Sequence, residues 1–138
     1  ARGLCGRGAI TASRGDWNGA QHYFEESLRV KPEFDIALSG LGLCAAHARN
    51  HEQAWTYYQR ALRSNFENVR ALLGVVEMGY VLKRLPDVEG HIREYFAQGK
   101  LQEAAEAIDR ITLFDPAHKN ALELRSMISN KQSAGYVG

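Results

Sequence analysis

Apolar residues in this chain recur on a helical period, interrupted by short polar breaks. In "GAQHYFEESLRVKP" Ala20, Phe24 and Ser27 fall at i, i+4 and i+7, and in "QAWTYYQRALRSNF" Ala54, Tyr58 and Ala61 do the same. Each stretch predicts an amphipathic helix with one face for a core. Gly15 and Asn50 mark turns before these helices, and Pro32 closes the first because it cannot continue one. "AHKNALELRSMISN", after Pro116, predicts a further amphipathic helix, and "KQSAGYVG" reads as a loose tail.

The pattern repeats. "GLCGRG" from Gly3, "ALSGLG" from Ala37 and "ALLGVV" from Ala71 are spaced by 34 residues. They align Leu4 with Leu38 and Leu72, and Gly6 with Gly40 and Gly74; Gly8 and Gly42 share a slot with Val76. The downstream stretches keep the same spacing. A unit of this length made of two helices resembles the tetratricopeptide repeat family. The resemblance rests on Leu4, Gly8, Ala20, Phe24, Ser27 and Pro32, then on Leu38, Leu41, Gly42, Ala54, Tyr58 and Ala61. It continues in "GKLQEAAEAIDRITLFDP", where Ala104, Ile108, Ile111 and Pro116 take the second-helix slots. Arg7, Thr11 and Phe66 depart from the family's preferences. The resemblance implies an all-α fold, a right-handed superhelical stack of antiparallel helix hairpins. Small residues would let helices approach, and Phe24 and Tyr58 would fill the space between successive hairpins.

The count breaks near residues 86–100. Counted forward, Val88, Ile92 and Tyr95 take the slots of Ala54, Tyr58 and Ala61, so residues 86–97 read as a second helix. Counted back from Ala104, Tyr95 takes the slot of Thr11 and Ala45, and the same residues read as a first helix. About 18 residues, one helix and a turn, are absent from the count. Three explanations stand open: a missing segment, one helix serving both neighbours in a distorted stack, or an open slot filled by a partner helix or a second copy. The expected division is repeats at 1–34, 35–68 and 69–98. A second helix of a further repeat follows at 99–116, then a next or capping helix at 117–130 and a loose tail at 131–138.

Composition adds limits. Net charge is +1, which gives no electrostatic footprint for nucleic acid or anionic membrane. No apolar run reaches the length of a membrane span, so no membrane insertion is expected. No signal-peptide order is visible, and a soluble protein, cytoplasmic or periplasmic, is expected. The chain, which opens at Ala1 in helix-like sequence, reads as part of a larger protein. Cys5 and Cys44 are too few for a disulfide scaffold and read as reduced apolar side chains. His47 and His51 are four apart, but a turn at Arg49-Asn50 would spoil a shared metal-binding face. No motif for a metal, a phosphate or a nucleophile appears. The expectation is no enzyme, no catalytic residue, no metal site and no cofactor.

Function then rests on a surface. The resemblance implies that first helices line a concave groove, which family members use for peptides or helices. Its positions here would be Cys5, Ala9, Ile36, Gly40, Leu43, His47, Arg70, Leu73, Gly74, Glu77 and Tyr80. Members that clamp a C-terminal carboxylate use Lys and Asn where this chain has Cys5, Ala9 and Gly40. The asparagine ladder of O-linked N-acetylglucosamine transferase is replaced by Gly6, Gly40 and Gly74. A mid-helix glycine costs about 1 kcal/mol relative to alanine, so a ladder of them needs a reason. Either helices pack tightly there, or the glycines floor an apolar groove. The reading that follows is a protein–protein interaction scaffold, an adaptor with a protein or peptide partner. The alternatives are a substrate-recognition region of a larger enzyme and a self-associating repeat module.

Overall fold

The computed structural model describes the backbone of residues 1–137 and the side chains of residues 1–133. Among the described residues eight helices follow one another: α1 (Arg2–Ser13), α2 (Trp17–Val30), α3 (Asp35–His47), α4 (His51–Ser64), α5 (Val69–Val81), α6 (Leu85–Ala97), α7 (Leu101–Phe114) and α8 (Lys119–Val137). No strand occurs among the described residues. The fold is an all-α stack of helical repeats. α8 runs past residue 130, where the sequence reading begins a loose tail; "KQSA" holds no helix breaker, and Gly138 lies outside the described residues.

Local chemistry sets the helix starts. Asp16 caps α2 by accepting from the Gly19 N–H at 2.9 Å, and Asn50 caps α4 by accepting from the Gln53 N–H at 3.3 Å. Asn68 accepts from the Ala71 N–H at 3.0 Å at the start of α5. These caps satisfy donors that a helix N-terminus otherwise leaves free.

The chain forms two compact units, Ala1–Met78 and a second that begins at Gly79. In the first, α1 packs on α2 and α3, α2 on α3, and α3 on α4. Its core centres on Ala20, Phe24, Ala37, Leu38, Leu41, Ala54, Tyr58 and Ala61. In the second, α6 packs on both α7 and α8, and α7 packs on α8. Val88, Ile92, Tyr95, Ala104, Ile108, Ile111 and Leu124 form its core, each no more than 1% exposed.

The turns record the seam. After α1 the Gly15 N–H donates to Ala12 O and the Asp16 N–H to Thr11 O. The turn after α3 repeats this with Arg49 and Asn50, and the turn after α5 with Lys83 and Arg84. The turn after α6 repeats it a fourth time, Gly99 to Phe96 O and Lys100 to Tyr95 O. Gly15, Arg49, Lys83 and Gly99 all take positive φ, between 60° and 85°. The turns after α2, α4 and α7 share another pattern, closed by Phe34 N to Lys31 O, Asn68 N to Asn65 O and His118 N to Asp115 O. So α6 is entered as a second helix and left as a first helix. A turn of the kind found between the two helices of a repeat lies at Lys83, and α6 packs against α7 and α8.

Candidate functional site

Phe24 and Tyr58 set the spacing of the first unit. A Cβ on Gly8 would meet the Phe24 ring at 2.8 Å, and one on Gly40 would meet the same ring at 2.5 Å. A Cβ on Gly42 would lie 2.7 Å from the Tyr58 ring, and one on Gly74 would lie 2.6 Å from it. Each ring is therefore held between two glycines, one on the first helix of its own repeat and one on the first helix of the next. Burial pushes the Tyr58 hydroxyl up to about 12, and the nearby Glu77 adds to the shift.

This corrects the expected surface. Cys5, Gly40 and Gly74, read from sequence as lining residues, are all buried. The Cys5 thiol lies 3.2 Å from Ser27 Oγ, which donates to Ala1 O at 2.9 Å. Gly40 and Gly74 hold ring contacts and do not floor a groove. Ser39, one residue before Gly40, is also buried and accepts from Asn68 Nδ2 at 3.0 Å.

Other expected positions do reach the surface of the first unit. Ile36 and Leu43, two turns apart on α3, are 36% and 38% exposed. Ala9 is exposed on α1 and Arg70 on α5, while Leu73 and Glu77 are half-buried. His47 is exposed and stacks on Trp17, with ring centroids 4.0 Å apart and planes 17° apart. Ile36 and Leu43 thus expose apolar side chains two turns apart on α3. Trp17 escaped the sequence reading because it opens α2 and reaches the end of α3 only in the fold.

Tyr80 belongs to the second unit. Its ring stacks on Phe114, 5.0 Å between centroids, and both rings are partly exposed. Phe114 closes α7, and no periodic slot marked it in the sequence. Burial raises the Cys44 thiol above its ordinary range, which keeps it protonated and unreactive. His47 ends α3 and His51 begins α4, with Arg49 at φ 63° bending the chain between them. Among the described residues no cluster of His, Cys, Asp and Glu is arranged to hold a metal ion. No helix among them is long and apolar enough to cross a membrane.

Residues 12–65 match the tetratricopeptide repeat family. No curated protein matches the chain in sequence. Among solved structures, the type III secretion translocator chaperone SycD of Yersinia enterocolitica is similar, at 16% identity and a TM-score of 0.62 over 96% of this chain and 85% of that one. YrrB, described as a TPR protein with an unusual peptide-binding site, is similar at 15% identity and 0.61, over 94% of this chain and 76% of that one. The first TPR of Spaghetti (RPAP3), bound to the HSP90 peptide SRMEEVD, follows at 18% identity and 0.53, over 94% and 93%. The tetratricopeptide repeat pattern is thus present in the sequence of residues 12–65, and solved tetratricopeptide repeat proteins share the chain's fold over 94% of its length.

Proposed function

We propose that this protein is a non-catalytic interaction scaffold that binds a segment of a partner protein along the exposed side of α1, α3 and α5 in its first unit. The observation that carries the reading is the pair Ile36 and Leu43 on α3, left open to solvent, with exposed Arg70 and half-buried Leu73 and Glu77 on α5. Exposed apolar rows with a charged border are the usual make-up of a binding surface. Its structural neighbours support the class of function: one is a TPR bound to a peptide of HSP90, another is a secretion chaperone. A clamp for a C-terminal carboxylate would need Lys and Asn where this chain has Cys5, Ala9 and Gly40, none of which carries a cationic or amide side chain to pair with it. The partner segment is therefore read chiefly through apolar side chains, with Arg70 and Glu77 orienting it.

The test is a pull-down with quantitative mass spectrometry, comparing the native chain with Leu43→Glu and Leu73→Glu. Both variants should keep the native circular dichroism and lose the specific partner, with affinity down at least about tenfold for a buried apolar anchor. Unchanged capture by both folded variants would overturn the assignment.

A further inference from the structure

The chain holds a single Asn-Gly step, Asn18-Gly19, in the first turn of α2. The other asparagines precede His51, Phe66, Val69, Ala121 and Lys131, each of which carries a Cβ. Asn-Gly is the step that closes on itself most readily, because a glycine nitrogen meets the least hindrance in approaching the preceding side chain. In that reaction the glycine nitrogen bonds to the asparagine Cγ. The amide proton and the side-chain NH2 leave together as ammonia, and a cyclic succinimide remains. Water then opens either carbonyl of the ring, which leaves aspartate or isoaspartate.

The fold both exposes this step and restrains it. Asn18 is open to solvent, so water reaches its amide. The Gly19 N–H, however, donates to Asp16 Oδ1 at 2.9 Å, which ties down the attacking nitrogen. Ring closure also needs Gly19 N to eclipse Asn18 Cβ, and the helical ψ of Asn18 holds them apart. The same cap accounts for the glycine. A Cβ on residue 19 would overlap Asp16 Oδ2 and press on Thr11 Cγ2 at 3.0 Å. The cap that requires the reactive glycine is therefore the group that keeps it from reacting.

We propose that Asn18 is a deamidation site gated by the Asp16 cap. Reaction proceeds from the state in which the first turn of α2 has opened, so its rate follows the population of that state. The two products differ in consequence. Aspartate places a carboxylate in a first turn that has no acidic residue, where the helix dipole favours it. Isoaspartate adds a methylene to the main chain, which displaces the Gly19 N–H from Asp16 and leaves the turn open. Trp17, the preceding residue, is then drawn off the His47 ring on which it stacks at 4.0 Å. A change at the start of α2 thus reaches the end of α3.

Incubation of the full chain at neutral pH and body temperature, followed by tryptic mapping with mass spectrometry, tests this. The peptide spanning residues 15–29 should gain the mass difference between an amide and an acid, and its isoaspartate form separates by chromatography. Asn18 should react faster than any other asparagine of the chain, yet at least about tenfold slower than in the isolated peptide. Asp16→Ala, which removes the cap, should speed the reaction about fivefold to tenfold. Asp16→Ser, which keeps a capping oxygen, should stay near the native rate. Hydrogen exchange of α3 should match the native chain in both variants, which separates opening of one turn from general unfolding. Asp16→Thr, a weaker cap, gives the graded comparison if the alanine variant fails to fold. Faster reaction at another asparagine, a native rate equal to that of the isolated peptide, or equal rates in the native chain and the folded cap-weakened variant overturns the proposal.

Discussion

Glycine serves two opposite purposes in this chain. Gly40 and Gly74 are pressed against rings that a Cβ would overlap, and Gly8 and Gly42 close those rings from the other side. The rings cannot retreat, because a glycine backs each of them. Gly40→Ala and Gly74→Ala should each destabilise the first unit by about 1–3 kcal/mol by overpacking, against the ordinary gain from removing a helical glycine. Gly6 and Gly90 hold the same register position with nothing within 4 Å. Gly6→Ala and Gly90→Ala should instead stabilise by about 1 kcal/mol. Guanidinium denaturation of the four variants gives both signs in one experiment. The 34-residue ladder was legible in the sequence as a spacing. What it could not show is which glycine is covered, because the covering ring comes from the preceding second helix. In the second unit Ile92 stands in the slot of Gly42 and Ile108 in that of Tyr58, so a small–aromatic pairing has become a pair of branched aliphatics.

At the scale of the helix, α6 is the informative element. Its two-sided identity was visible by counting residues, since Tyr95 fits both registers. The turns at Lys83 and Gly99, identical in hydrogen bonding, show how one backbone accommodates both. The side of α6 that would meet a preceding second helix carries Asp87, Gly90 and Glu94, all exposed. On α3 the same register holds Ala37, Gly40 and Cys44, and on α5 Ala71, Gly74 and Met78, all buried. Burying Asp87 and Glu94 unpaired would be costly, so this side suits water. On the same helix His91 is held below its ordinary 6.5 by burial, partly countered by Glu94 and Asp87. A depressed histidine is an asset above its unfolded value and a liability as pH falls toward its folded one. The melting temperature of the native chain should therefore drop relative to His91→Gln as the solution is acidified below about 6.5. Parallel thermal scans of the two proteins from neutral to mildly acid pH check the sign.

For the molecule as a whole, the polar side of α6 bears on whether a helix is missing before it. Peptide mapping of the protein from its native source should recover a continuous run through Lys83, Leu85 and Arg93, with no intervening segment. A fragment joining Arg84 to other residues would establish the missing-segment explanation. The repeat spacing and the helix order were readable from the sequence, whereas the open side of α3 was expected only from the family resemblance. The division at Met78 and Gly79 was not, because it falls inside α5 and no composition change announces it. The identical turns on either side of α6 carry a lesson for protein engineering. A connector that treats a helix as first or second without altering its own geometry makes the single helix, and not the pair, the smallest interchangeable module. Libraries that splice repeat arrays at such connectors could produce odd-numbered chimeras, provided the grafted helix brings a water-compatible back.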